Sequence, residues 1–168
     1  ELKRYDESEA SCRQSLEIRK RLFGAQHPTV AASLNNLGEL ERNREHPAAA
    51  LVHAVASLEI VGRSGGREED VAAMIAGWAL RELGRPREAL PRFERALVMR
   101  TESDGAFAPR VVDVELELAR TRTALGEYDV AWAQLERVLE LEEGRRPDVL
   151  ERAQALQARI RKERASTD

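Results

Sequence analysis

The sequence predicts an all-α fold, an α-solenoid of about eight helices stacked as antiparallel pairs. Three observations carry that expectation. Of the 168 residues 42% are hydrophobic but only 4% aromatic, which favours helices packed closely over small side chains rather than a β-sandwich. Apolar residues recur at helical spacing, as at Val30, Leu34, Leu37 and Leu40, the period of one helix face. The pattern also repeats. Tyr5, Pro47, Pro86 and Tyr128 open alternate helices at spacings of 42, 39 and 42 residues. A two-helix unit cannot bury its apolar faces alone, and a period of this length means pairs that pack on their neighbours.

The first helix is expected from about Tyr5 to Leu22, with Cys12, Leu16 and Ile18 turned inward and an exposed Glu17–Arg21 pair. Gly24 is placed as its C-terminal cap, and Gln26-His27-Pro28 forms the connection. The second helix faces a third that opens at Pro47, a residue suited to a first turn where an N–H is unpaired anyway. Ser64-Gly65-Gly66 breaks the pattern. A fourth helix, about Glu68 to Leu83, carries Glu68, Glu69 and Asp70 on its electropositive first turn. Gly84 ends it and Pro86 opens the fifth, with Leu90, Phe93, Ala96 and Leu97. The sixth stops at Gly126, the seventh starts near Tyr128, and a highly charged eighth runs from Asp148 to about Arg164. The expected organisation is one domain, 1–168. It comprises a half-pair at 5–22, full pairs at 28–62, 68–100 and 108–143, and a capping helix at 147–165.

Small residues mark the crossings. Gly38, Gly77 and Ala119 are equivalent in the first helices, and Ala50, Ala89 and Ala131 each lie twelve residues later. With Ala96 and the bulky Phe93, these positions resemble the tetratricopeptide repeat family. The stretch LEIRKRLFGAQHPTVAASLNNLG and the longer period resemble its kinesin-light-chain-like variant, common in bacterial signalling proteins. The chain departs from the family at Leu34, Ala73 and Glu115, where the family has an aromatic, and at Glu41, Leu80 and Arg122, where it has a tyrosine. The resemblance implies a right-handed superhelix and a non-catalytic module that binds a peptide or protein in a concave groove lined by the first helix of each pair. It implies no cofactor. The carboxylate clamp of chaperone-binding members needs basic residues where Val71 and Ile75 stand, so a chaperone C-terminus is not the expected ligand.

Helical geometry assigns the groove positions, because residues three and four apart share a face. These are Asn35, Glu39 and Arg42, then Met74, Trp78 and Arg81, then Leu116, Arg120 and Thr123. Trp78 and Met74 suit an anchor, since Trp is enriched at hot spots and Met adapts to varied partners; the alternative is that Trp78 packs against a neighbouring helix. Asn35 can bond a peptide backbone through its amide, with Asn36 turned to the connecting loop.

Other functions find little support. The net charge of -3 with interspersed signs leaves no nucleic-acid footprint, and Arg159, Arg161, Lys162 and Arg164 read as the solvated face of the last helix. No apolar run approaches the roughly 18 residues that cross a bilayer, so no membrane partner is expected. His27, His46 and His53 lack metal-ligand spacing, and no nucleophile motif or phosphate loop is present. The single Cys12 reads as a small buried hydrophobe in a reducing, cytoplasmic setting. Basic residues are nearly all Arg, which fits a GC-rich genome. Glu1 opens inside a helical pattern, so the chain is expected to be a fragment of a larger signalling or regulatory protein. Self-association through the open half-pair is the competing function.

Overall fold

The computed structural model describes residues 2–62 and 66–165. Among them are eight α-helices: α1 (Leu2–Phe23), α2 (Pro28–Asn43), α3 (Pro47–Val61), α4 (Arg67–Glu82), α5 (Pro86–Asp104), α6 (Pro109–Ala124), α7 (Tyr128–Glu142) and α8 (Pro147–Ala165). This is the all-α architecture of helix pairs that the repeat demands. Ser64 and Gly65, where the sequence places a break, lie outside the described residues; Gly66 is the N-cap of α4. α5 runs four residues past the expected 100, because nothing in Val98–Asp104 breaks a helix before Gly105 at φ 87°. The chain forms two compact units, residues 1–96 and 97–168, with the division inside α5.

In the first unit α2 packs on α1, α3 and α4, and α3 packs on α4. Pro28 fills the first turn of α2, and the His27 ring caps it by accepting the Thr29 N–H at 3.2 Å. Val30, Leu34 and Leu37 join Leu16 of α1 in one apolar cluster, with Cys12 packed against it. Ile18 does not turn inward as expected but is 48% exposed. The position that shares the Leu16 face belongs to Arg19, whose guanidinium donates to the Thr29 carbonyl at 3.0 Å and to Ser33 Oγ at 2.9 Å. Glu17 pairs with Lys20 at 3.0 Å rather than with Arg21.

A second cluster joins Ala50 and Ala54 of α3 to Ile75, Ala76 and Ala79 of α4. Such small residues let backbones approach closely. A Cβ on Gly38 would stand 3.2 Å from the Ile75 methyls and 3.6 Å from the Ala50 carbonyl oxygen. At the equivalent Gly77 the neighbour is the fully buried Phe93 ring, 2.8 Å from where a Cβ would be. The first helices end in a left-handed residue. This is Gly84 at φ 72° and Gly126 at φ 78°, but Glu45 at φ 58° occupies the equivalent place after α2.

In the second unit Val112, Leu116 and Ala119 of α6, Ala131, Leu135 and Val138 of α7, and Val149, Ala153, Leu156 and Ile160 of α8 form one core. The four α8 positions, spaced by four, three and four, are its inner face; the outer face is charged. That charge is largely internally paired: Arg159 bonds Glu163 at 2.7 Å, Arg164 bonds Asp129, and Arg161 stacks 4.9 Å over the Trp132 ring. Arg146 joins both Glu142 and Asp113 at 2.8 Å, tying the turn before α8 back to α6.

Candidate functional site

Each set of candidate residues sits on a first helix of a pair, on either side of the small residue at the crossing. In the first unit, Asn35 is not open to a ligand. It is 2% exposed, and its Nδ2 donates to the Glu68 carbonyl at 2.9 Å and to Glu68 Oε2 at 2.8 Å. It therefore fastens the first turn of α4 to α2, while its Oδ1 is buried without a partner. Asn36 is the exposed one of the pair. In the second unit Leu116, at the equivalent place, is 0% exposed within the α6–α7–α8 core. Thr123 is buried and donates to the Ala119 carbonyl at 2.8 Å.

The burials of Asn35 and Leu116 share one cause. The position three residues before the small residue faces the next first helix, not open solvent: α2 packs on α4, and α6 packs on α8. α8 thus takes the place of a fourth first helix, and its apolar face covers Leu116.

The row one residue after the crossing keeps partial access: Glu39, Trp78 and Arg120 are each half-buried. Glu39 pairs with Arg42 at 2.6 Å, both about two-fifths exposed, and Arg120 pairs with Glu117 at 3.1 Å. Met74 is half-buried. Trp78 packs against the alanine-rich α3–α4 cluster, so its ring is held in place while part of it stays accessible. Arg81 is largely covered, with its side chain 12% exposed, paired with Glu82 at 3.0 Å and 6.0 Å above the Phe93 ring. In the first unit, Glu39, Arg42, Met74 and Trp78 thus stand on two helices packed against each other.

The histidines are engaged structurally. His27 caps α2; His46 Nδ1 lies 2.9 Å from Glu41 Oε2; burial pushes the half-buried His53 below the usual imidazole range, against the opposing pull of Glu41. Among the described residues no group of three His, Cys, Asp or Glu is placed to hold a metal ion, and no helix is long and apolar enough to cross a membrane.

Sequence reasoning missed a cleft of about 990 Å³ in the first unit. Its walls are the C-terminal end of α3 at Leu58 and Gly62, and α5 at Arg87, Glu88, Pro91, Arg92 and Arg95. Its floor is Glu69 and Ala73 of α4. The Glu69 side chain is 4% exposed and accepts from Arg95 Nε at 2.8 Å. The available signal was three arginines within nine residues of one helix, easily read as an ordinary solvated face.

Residues 1–62 match the sequence model of the tetratricopeptide repeat. No curated protein matches. Among solved structures, the chain is similar to a kinesin light chain from Podosopora anserina with nearly identical TPR-like repeats, at 19% identity and TM-score 0.74, over 98% of this chain and 89% of that one. It is also similar to BtubC (BKLC) from P. vanneervenii, at 17% identity and TM-score 0.75, over 97% of this chain and 74% of that one. The fold is therefore that of tetratricopeptide-type repeats of the kinesin-light-chain-like form, and the repeat family itself is matched over residues 1–62.

Proposed function

We propose that the chain is a non-catalytic interaction module that holds a peptide or protein segment against the first helices of its first unit, at Glu39, Arg42, Met74 and Trp78. Repeats of this fold generally mediate protein–protein interactions. The observation that carries the reading is Trp78, half-buried and packed on the α3–α4 cluster. A ring already held in place loses little freedom on binding, and a part-exposed Trp supplies large contact area. Met74 one turn earlier adds an adaptable apolar surface, while the Glu39–Arg42 pair offers polar contacts at the edge. Arg120 holds the equivalent repeat position in the second unit. By the resemblance alone, the setting is bacterial signalling.

The test is selection of peptides from a random library on the wild type, followed by titration of the selected peptides against variants. Trp78→Ala should lose about 2 kcal/mol or more of binding, roughly thirtyfold, with helicity kept and the melting midpoint lowered by the packing that the ring gives up. Normal binding by both Trp78→Ala and Met74→Ala would remove the site.

A second reading, self-association, is favoured by Ile18, Leu22 and Phe23, which are 48%, 70% and 54% exposed along α1. A second copy stacking on that face would cover them. A solution mass that stays monomeric at high concentration excludes it.

A further inference from the structure

We propose that the cleft between α3, α4 and α5 is a separate docking site for an acidic peptide segment carrying an apolar residue. The argument begins with charge. Glu69 at the floor is neutralised by Arg95 at 2.8 Å. Glu88 at the rim is held by Arg85 through two bonds of 2.7 Å, Nε to Oε1 and Nη2 to Oε2, which lowers its carboxyl below the usual range. Once both acids are matched, Arg87 and Arg92 remain. Neither forms an ion pair or hydrogen bond among the described residues. Arg92 feels only the through-space attraction of Glu88, which Arg85 already holds, so the two guanidiniums on one wall make a local positive site on a chain whose net charge is -3.

The repeat itself shows that the fold does not require them. The places of Arg87 and Arg92 are held by Ala48 and His53 in the first pair, and by Asp129 and Gln134 in the third. Three pairs share one scaffold, and only one carries this charge.

Two further features suit a peptide. Pro91 has no N–H to give the Arg87 carbonyl, so the turn of α5 that lines the cleft carries a backbone acceptor without its helical donor. A peptide N–H can supply it; an inorganic anion cannot. Leu58 and Ala73 give the cleft apolar surface for one aliphatic side chain. A nucleic acid fits less well, because its sugar–phosphate backbone has no N–H for the Arg87 carbonyl and no aliphatic side chain for Leu58 and Ala73.

The experiment uses a fluorescein-labelled peptide of six glutamates around a central leucine, titrated by anisotropy against the whole chain. Binding should weaken as salt rises, and the Arg87→Ala/Arg92→Ala double variant should bind about a hundredfold less tightly, near tenfold for each charge. A double variant at the exposed Arg13→Ala/Arg21→Ala, which removes the same charge from α1, should bind as the wild type does. Trp78→Ala should also leave this affinity unchanged, which separates the cleft from the first-helix face. The proposal is overturned if the peptide does not bind at low salt, if the two double variants behave alike, or if Trp78→Ala abolishes binding. It is also overturned if an oligothymidylate of equal charge binds as well as the peptide and loses as much in Arg87→Ala/Arg92→Ala. Both arginines are exposed, and circular dichroism confirms that the variants are folded.

Discussion

In the α4–α5 pair a glycine meets a phenylalanine; in the α6–α7 pair the same two places hold Ala119 and Leu135, both fully buried in the second unit's core. The larger ring comes with the smaller crossing residue, and the smaller side chain with the larger one. The two pairs also both bury a carboxylate that an arginine reaches from the second helix. Arg95 and Arg137 are at the same repeat position, but their acids differ by one turn: Glu69 is equivalent to Val111, and Glu115 to Ala73. Volume at the crossing is therefore compensated locally, as close-packed interiors require, while the depth of a buried charge can shift along a helix provided its partner still reaches it.

The largest expected effect is at Gly77. Its added Cβ would fall 2.8 Å from a fully buried ring that has no free end to yield. Gly77→Ala should cost about 1–3 kcal/mol in urea unfolding. Adding Phe93→Leu, which copies the third pair, should recover part of that loss through a favourable coupling in a double-mutant cycle. If Gly77→Ala is as stable as the wild type, the compensation does not exist.

Next in size is Glu45, the one described non-glycine residue with positive φ. A left-handed conformation costs an L-residue about 1–2 kcal/mol, and the second and third pairs avoid it with Gly84 and Gly126. Glu45→Gly should stabilise the chain by about 1 kcal/mol, read as a higher urea midpoint; an unchanged or lower midpoint would show that the turn is relaxed with glutamate in place.

The smallest effect is visible only as pH dependence. Burial raises the Glu115 carboxyl above the usual range, partly offset by Arg137 at 3.3 Å. A raised folded-state value means that its contribution is fully present below the ordinary glutamate value and is lost as pH rises through the raised one. Glu115→Gln removes that term, so the stability of the variant relative to wild type should increase from acid toward neutral pH. A difference that is flat with pH, or that falls, would contradict the assignment.

Much of the fold was legible because its determinants are local: prolines that open helices, glycines that end them, and small residues at fixed offsets. The faces of the first helices were not. Whether Asn35 and Leu116 are open depends on α4 and α8, more than thirty residues away in sequence; the last helix was expected to cap the array, but not to cover Leu116 in doing so. For Trp78 the expectations were an anchor or packing against a neighbouring helix, and the ring packs on the α3–α4 cluster while staying half-buried. The arginines of α5 could be counted, yet their meaning depends on which glutamates have already taken partners, and Arg95 alone of the three is spent in that way.

The buried Glu69 also bears on how such chains can be recombined. α3 carries Ala56 where α5 carries Arg95, so grafting the second helix of the first pair onto α4 would take the Arg95 guanidinium away from a buried carboxylate. Breaking a buried ion pair in that way costs about 3–5 kcal/mol, a large share of what a small domain has. A crossover within the α4–α5 pair therefore loses the Glu69–Arg95 contact, whereas one between α2 and α4 loses the Asn35–Glu68 bonds instead.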